Sequence, residues 1–279
     1  MLIRIDHATT YTYQQAPRFI IQMLRLTPRA SEGQHVRRWD IETDVDARLR
    51  RSEDAFGNIV HALYVDAPTE RLTIRVNGEV ETTDLAGAVR MGSERLSPLV
   101  YLRETPLTAR DGDIAALAAS HHQGGRLDGL HHLMRTIYTE MSFEIGATTA
   151  SHTAAEALKL RRGVCQDYAH LFISAARCMG VPARYVSGHL FRSDGLSSQD
   201  AAHAWAEAYV EELGWVGFDP ANGVCPTDAY VRVAVGLDYL GAAPVRGSSY
   251  GGGAEHLSVR LDVRDARAQP HQQQGQQQA

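Results

Sequence analysis

Apolar and polar side chains alternate along the first third of the chain. Ile3 and Ile5 alternate with Arg4 and Asp6, and the same period of two recurs over residues 39–47 and 72–78. Strands with one buried face produce this alternation. Short segments with turn-forming composition separate these alternating stretches. The pattern predicts an N-terminal antiparallel β-sandwich-like domain over residues 1–88.

A helical period follows a segment that has no clear period. Residues 89–110 contain Pro98 and Pro106 and are predicted to be a linker. Asp111 is a candidate N-cap for the first helix. Apolar residues at helical spacing predict three further helices, over residues 127–141, 151–160 and 165–179. Gly180 is placed to end the last of these, and Pro182 prevents it from continuing.

Strand patterns return in the last part of the chain, at residues 183–190, 204–210, 215–218, 231–235 and 257–263. Helices followed by strands indicate an α+β core, which we assign to residues 111–265. Glutamine dominates from Gln269 to the end. From Gln269 onward the terminal Ala279 is the one apolar residue. Such a segment cannot bury a core, so residues 266–279 are predicted to be a disordered Gln-rich tail.

Composition excludes several classes of protein. Hydrophobic residues make up 44% of the 279 and charged residues 22%, as in ordinary globular proteins. A net charge of −5 gives no basic field for nucleic acid or anionic lipid. No apolar run reaches the roughly 20 residues that span a bilayer. Three cysteines do not make a disulfide framework, and the charged strand pattern at the start is unlike a leader peptide. These features favour a cytoplasmic protein.

One cysteine stands where thiolate chemistry would place it. Cys165 follows Gly163 and begins an amphipathic helix. A cysteine attacks as its thiolate, which the unpaired N–H groups of a helix start stabilise. His203 begins a later strand and is a candidate partner that would hold the thiolate as an ion pair. Asp219 ends the next strand, so an antiparallel hairpin brings it to the same sheet edge as His203.

Geometry sets one condition on this triad. A two-residue turn between the strands would leave His203 and Asp219 a couple of residues out of register, so we expect a longer turn or a bulge. Asp219 would then accept the imidazole N–H and fix its tautomer. The Cys165 backbone N–H is a candidate donor to an oxyanion. Trp205 and Trp215 are candidates to wall the cleft.

Other motifs have simpler explanations. Cys178 lies late in its helix and is expected to be a buried apolar residue, and Cys225 is expected to be structural. Adjacent histidines point in different directions along a helix, so His121-His122 and His131-His132 do not make a metal site. Gly251-Gly252-Gly253 lacks the Lys-Ser/Thr of a phosphate loop. We expect no metal and no cofactor.

Three sequence blocks together resemble the transglutaminase-like superfamily, a papain-related group of cysteine acyl-transfer enzymes. The blocks are Arg162-Gly163-Val164-Cys165-Gln166-Asp167-Tyr168-Ala169-His170-Leu171, Gly180-Val181-Pro182-Ala183-Arg184-Tyr185-Val186-Ser187-Gly188, and Ala202-His203-Ala204-Trp205 with Gly214-Trp215-Val216-Gly217-Phe218-Asp219-Pro220. The first part is similar to the N-terminal β region of bacterial members, at His7-Ala8-Thr9-Thr10-Tyr11-Thr12-Tyr13, Leu24-Arg25-Leu26-Thr27-Pro28-Arg29 and Asp54-Ala55-Phe56-Gly57-Asn58.

The resemblance implies a papain-like α+β core behind a β-sandwich and a Cys-His-Asp triad at Cys165, His203 and Asp219. Two positions depart from the family, which often has an aromatic at Ile145 and an arginine at Leu237. Members include cross-linking enzymes, proteases, amidases and inactive binding modules, so the family does not fix the reaction.

The expected function is cysteine-dependent acyl transfer on peptide or protein amides through a thioester, with hydrolysis favoured over transamidation. A non-catalytic peptide-binding or scaffolding module of the same fold is the alternative. Deglycosylation of peptides by a related core is a third and weaker reading, because nothing in the sequence specifies a sugar site. The partner is then a peptide or protein substrate, and neither nucleic acid nor membrane is expected. The oligomeric state is left open.

Overall fold

The alternating pattern at the start of the chain corresponds to strands with one buried face. The computed structural model describes residues 1–92, 94–121 and 125–267; in β1, Ile3 and Ile5 are buried whereas Arg4 is exposed. The strands of this region are β1 (Leu2–Tyr13), β2 (Phe19–Thr27), β3 (Gln34–Thr43), β4 (Arg48–Glu53), β5 (Ile59–Val65), β6 (Arg71–Thr82) and β7 (Ala88–Val89).

Helices and then strands follow, in the predicted order. The helices are α1 (Gly112–Ser120), α2 (Arg126–Glu140), α3 (Ala154–Leu160), α4 (Cys165–Cys178) and the short α5 (Tyr239–Ala242). The strands are β8 (Ser142–Phe143), β9 (Arg162–Gly163), β10 (Ala183–Leu190), β11 (Ser198–Gln199), β12 (His203–Val210), β13 (Gly214–Phe218), β14 (Tyr230–Gly236), β15 (Val245–Tyr250) and β16 (Glu255–Asp265). Two 3₁₀ turns, Pro98–Leu102 and Pro106–Thr108, occupy the predicted linker.

Helix boundaries follow the signals in the sequence. The Asp111 carboxylate accepts the Asp113 N–H and caps α1 as predicted. The α4 helix begins at Cys165. Gly180 has a positive φ of 72°, which glycine adopts without strain, and it ends α4 at the predicted place. The predicted tail lies outside the described residues from position 268 onward, and so does His122.

The α4 helix is buried on all sides, which a helix must be if it crosses a core. Its residues from Asp167 to Arg177 are all buried. It packs against β10 and β12 on one side and against α1, α2 and α3 on the other. The sequence predicted a single apolar stripe; the structure shows neighbours around the whole helix. This environment fixes the position of its first residue, Cys165.

Two antiparallel sheets form the sandwich-like part. One has the strand order β11-β16-β1-β6-β3 and the other β15-β2-β5-β4. Apolar residues from both sheets share one core, with Tyr11, Ile74 and Val76 facing Ile20 and Leu63. The architecture is therefore the predicted N-terminal β region followed by a papain-like α+β core.

The two parts exchange strands. The β16 strand pairs with β1, with Thr9 opposite Val259, and β15 pairs with β2. In return β7 pairs with β13 at the edge of the core sheet, whose order is β14-β10-β12-β13-β7. The sequence analysis assigned residues 245–265 to the core, whereas their backbone hydrogen bonds join the N-terminal sheets. Alternation reveals a strand but not its partner.

No helix in the described ranges is both long and apolar enough to cross a membrane.

Candidate active site

Cys165 is held at the first position of α4 by a carboxylate cap. The Asp167 Oδ2 atom accepts the Val164 N–H at 2.8 Å and the Thr148 hydroxyl at 2.6 Å. Gly163 makes room for this cap, because a Cβ there would lie 2.5 Å from Asp167 Oδ2. Helix geometry leaves the first N–H groups of α4 without partners in the helix, and these groups favour an anion beside them. The Cys165 sulfur is placed at that end.

His203 and Asp219 are directly hydrogen-bonded. The distance from His203 Nε2 to Asp219 Oδ2 is 2.6 Å, and Asp219 is completely buried. The turn between β12 and β13 is longer than two residues, as expected, because Val210 pairs with Gly214. The register between these strands runs without a bulge, so the longer turn is the alternative that the structure shows. The side chains of His203 and Asp219 extend along the strands and make the hydrogen bond across the remaining offset in register.

Two residues that the sequence analysis missed hold the Asp219 carboxylate. Asn222 Nδ2 and the Tyr230 hydroxyl each donate to Asp219 Oδ2 at 2.7 Å. The Ala221 N–H donates to Oδ1 at 3.0 Å. Asn222 precedes Gly223 in a recognisable Asn-Gly turn, which could have indicated its position close to Asp219. Tyr230 begins the next strand, β14, and no signal in the sequence links its hydroxyl to Asp219.

These contacts set the charges of the pair. Burial by itself would raise the pKa of Asp219, but the charge and hydrogen bond of His203 and the Asn222 and Tyr230 donors hold it below its ordinary value. Burial by itself would lower the pKa of His203, but the charge and hydrogen bond of Asp219, followed by those of Cys165, raise it to about 10. His203 is therefore an imidazolium at neutral pH, the form that stabilises a nearby thiolate.

Cys165 and His203 open into one cavity of about 230 Å³. Its other lining residues come from β1, from the start of α4, from β10, from the start of β12, from the segment around α5 and from β15 and β16: His7, Thr9, Tyr11, Val164, Gln166, Tyr185, Ser187, Ala201, Ala202, Ala204, Tyr239, Pro244, Val245, Leu257 and Val259. A larger cavity of about 640 Å³ lies over the outward-facing residues of β1 and β6 and includes no member of the predicted triad.

The tryptophans do not wall this cavity. Trp205 stacks beside the His203 ring, with 6.1 Å between ring centroids, and supports it from behind. Trp215 lies under the Arg184 guanidinium at 3.8 Å instead. Neither residue lines the cavity, so the expectation for both was wrong.

The other candidate residues lie apart from this site. Cys178 and Cys225 are partly buried and do not line the cavity, and burial raises the pKa of the Cys225 thiol. The His131 ring packs edge-on against Phe218. Within the described ranges, no three His, Cys, Asp or Glu side chains are grouped as metal ligands.

The two departures from the family pattern also lie outside the cavity lining. Ile145 is 78% exposed. The Leu237 carbonyl accepts a hydrogen bond from Arg177. Neither departure alters a group that contacts Cys165 or His203 in the structure.

Comparisons with known proteins place the sequence in a family. Residues 3–81 match the bacterial transglutaminase-like N-terminal region, and residues 115–220 match the transglutaminase-like superfamily. An uncharacterized protein of Mycobacterium leprae is 32% identical over 279 residues, covering 94% of this chain and 98% of that protein. A protein-glutamine gamma-glutamyltransferase of Pseudomonas aeruginosa is 34% identical over 106 residues, covering 33% of this chain and 15% of that protein.

A solved structure shares the whole fold. The crystal structure of a proposed cysteine protease from Cytophaga hutchinsonii has a TM-score of 0.77, with 20% identity, and covers 96% of this chain and 92% of that one. The superfamily match spans Cys165, His203 and Asp219 together.

Proposed function

The chain belongs to the transglutaminase-like superfamily, and from this premise we propose that it hydrolyses amide bonds of peptides or proteins through a thioester on Cys165. One observation carries the proposal. His203, hydrogen-bonded to the buried Asp219, lines the same cavity as a cysteine at a helix start. These are the groups that nucleophilic acyl transfer requires, with a nucleophile, a proton donor and a residue that orients the donor.

The first half of the reaction forms the thioester. The Cys165 thiolate attacks the substrate carbonyl carbon, and the carbonyl oxygen becomes an oxyanion next to the α4 N-terminus, where the Cys165 N–H is a candidate donor. The His203 imidazolium then gives its proton to the amide nitrogen. The oxyanion collapses, the C–N bond breaks, and a neutral amine leaves while the acyl group stays on the sulfur.

The second half releases the acid. Neutral His203 takes a proton from water, and the hydroxide oxygen attacks the thioester carbonyl. The C–S bond breaks, which restores the Cys165 thiolate and the His203 imidazolium. Asp219 keeps its charge throughout and stabilises the imidazolium each time it forms.

An amine in place of water would give transamidation, and the name of the Pseudomonas relative makes this the second candidate. The cavity lining favours water. An amine acceptor such as a lysine side chain is an ammonium in solution, and the lining contains no aspartate or glutamate to bind it. The cytoplasmic setting expected from the sequence stays a prediction.

Alkylation with iodoacetamide at neutral pH tests the activated thiolate directly. We expect Cys165 to be labelled at least ~10-fold faster than Cys178 and Cys225, because only Cys165 pairs with an imidazolium. Mass mapping of the labelled peptides gives the three rates. Equal labelling of the three cysteines, or an inert Cys165, would overturn the mechanism and favour a non-catalytic module.

A further inference from the structure

One wall of the cavity comes from β1 and from the last strands of the chain, which pair with the N-terminal sheets. Thr9 pairs with Val259 and Tyr11 pairs with Leu257 across β1 and β16, and all four side chains line the cavity. Val245, on β15, continues this wall. The strands that the end of the chain adds to the N-terminal sheets therefore shape the space into which Cys165 opens.

The cavity lining contains no Asp, Glu, Lys or Arg side chain. Besides Cys165 and His203, its group with an ordinary pKa near neutrality is His7, and burial lowers that pKa to about 4. His7 is therefore neutral and bonds the Thr9 hydroxyl at 3.2 Å. Charges are present on the outward face of the same strands, where Asp6, Arg260 and Asp262 line the larger cavity. On the inner side of β16, charges occur only at the strand ends, at Glu255 and Asp265, and neither residue lines the inner cavity.

Two small polar side chains of the wall and floor have partners inside the protein, whereas His7 Nδ1 has none. The Ser187 hydroxyl donates to the Ala242 carbonyl at 2.7 Å, and Thr9 is bonded to His7. A charged substrate group that entered this space would lose water and meet no opposite charge other than the catalytic pair. An apolar group would gain from leaving water.

The size of the cavity fits a large side chain. Its volume of about 230 Å³ is roughly fifteen times the ~15 Å³ that holds one water molecule. Val164 and Gln166 flank Cys165 and also line it, so the space begins where a bound carbonyl carbon would lie. The part of the substrate that stays on the sulfur is the acyl part.

We propose that this cavity is an acyl-donor pocket for a bulky apolar side chain, of the leucine, methionine or phenylalanine class, on the residue whose carbonyl Cys165 attacks. This assignment rests on the proposed function. It makes the N-terminal β region a determinant of specificity, through Thr9, Tyr11, Leu257 and Val259.

A series of peptides with one constant leaving group measures the preference in the wild-type protein. Acetylated tripeptide amides of 7-amino-4-methylcoumarin would carry Leu, Phe, Gln, Lys or Glu next to the coumarin. We expect kcat/KM for Leu and Phe to exceed that for Lys and Glu at least ~10-fold, within the range that side-chain pockets achieve. Equal rates, or a preference for a charged residue, would overturn the assignment.

A charge placed in the wall tests the location of the pocket. Val259→Glu should lower kcat/KM for the Phe substrate at least ~10-fold and raise it for the Lys substrate. Ser258→Glu is the matched control, because Ser258 is the next residue of β16, is exposed and lines the outer cavity instead. We expect it to change neither value by more than about twofold. If both variants behave alike, the assignment of this wall fails.

Binding separates this inference from the proposed function. The Cys165→Ala variant cannot form a thioester, yet its pocket is intact, so affinity for the same peptides can be measured by calorimetry. Tighter binding of the Leu and Phe peptides supports the pocket even if wild-type Cys165 proves inert to iodoacetamide. Preferential labelling of Cys165 without any preference among the peptides would refute the pocket and leave the proposed chemistry standing.

Discussion

Strand β12 contributes to two clusters that each contain a buried carboxylate. The clusters differ in the cationic partner of that carboxylate. At one end His203 bonds the fully buried Asp219. Four residues along the same strand, the fully buried Glu207 accepts from Arg184 Nε at 2.6 Å and from Arg232 Nε at 2.7 Å. Burial by itself would raise the pKa of Glu207, but the two guanidiniums lower it to about 2. Both carboxylates are charged at neutral pH.

The partner decides what each cluster can do. A guanidinium does not lose its proton under ordinary conditions, so the Glu207 cluster keeps one charge state. Arg184 is itself enclosed, with Glu94 bonded to its two terminal nitrogens and the Trp215 ring at 3.8 Å. An imidazolium can lose its proton, and His203 lines a cavity beside a thiol. A buried carboxylate is therefore structural in one cluster and suited to proton transfer in the other.

The largest expected effect is the loss of activity when the nucleophile beside the His203–Asp219 pair is removed. We expect Cys165→Ala to lower kcat/KM on the best coumarin peptide by about 10,000-fold, because no other group of the cavity can form the thioester. Its free energy of unfolding should change little. Cys178→Ala is the matched control and should retain activity within about twofold. Activity above a tenth of wild type in Cys165→Ala would contradict the mechanism.

Loss of the Glu207 carboxylate should lower stability rather than activity. Glu207→Gln leaves Arg184 buried without its main counter-charge, so we expect a loss of about 3–5 kcal/mol in the free energy of unfolding. Urea denaturation followed by circular dichroism measures it. Glu79→Gln, which removes an exposed partner of Arg4, should cost less than about 1 kcal/mol. Equal losses in the two variants would show that the Glu207 cluster contributes no more than a surface pair.

Neutralising Asp219 should change the pH dependence of activity. With the carboxylate charged, the pKa of His203 is about 10, and activity that needs the imidazolium should persist until the pH approaches that value. Asp219→Asn removes the main charge that raises this pKa. We expect kcat/KM to fall roughly 100-fold and its alkaline limit to move toward the ordinary histidine pKa of about 6.5. A pH–rate profile of both proteins gives the two limits; an unmoved alkaline limit would contradict the assigned role.

The same pKa values predict opposite stability limits for the two clusters. The folded-state pKa of His203 lies above its unfolded value, so its contribution is complete below pH about 6.5 and is lost as the pH rises through about 10. The folded-state pKa of Glu207 lies below its unfolded value, so its contribution is complete above about pH 4.5 and is lost as the pH falls through about 2. Urea denaturation in alkaline buffers should be less sensitive to pH in Asp219→Asn than in wild type.

The smallest expected effect comes from Tyr230→Phe. The change removes one hydrogen bond to a buried carboxylate that keeps its His203, Asn222 and backbone donors. A bond to a charged group contributes about 1.5–3 kcal/mol, so we expect a fall in kcat/KM of about 10-fold. The alkaline limit should be slightly higher, because a carboxylate with one donor fewer attracts the imidazolium more strongly. A purely structural role for Tyr230 would lower stability and leave the pH limit in place. Tyr209→Phe, on the same sheet but away from Asp219, is the control.

The sequence predicts what depends on local order. The Gly163–Cys165 step, the start of α4, and the antiparallel return from His203 to Asp219 all follow from neighbouring residues and short turns. The pairing of β16 with β1 could not be predicted in this way, because it joins segments far apart in the chain. Tyr230 is only 11 residues from Asp219, but no short turn or hairpin pattern connects the two. The buried Arg184–Glu207–Arg232 cluster was missed for a related reason. Charged residues in a strand pattern indicate an exposed face until a countercharge from another strand is known.

Strand exchange between the two parts of the molecule limits how this protein can be cut or recombined. Residues 1–88 expressed alone would leave the edges of β1 and β2 that β16 and β15 normally cover open to solvent and prone to self-association. A catalytic fragment that stops before residue 245 would keep Cys165 and His203 but lack the cavity wall that β15 and β16 contribute. Grafting between homologues would therefore succeed only when the last two strands, β15 and β16, are transferred together with β1 and β2.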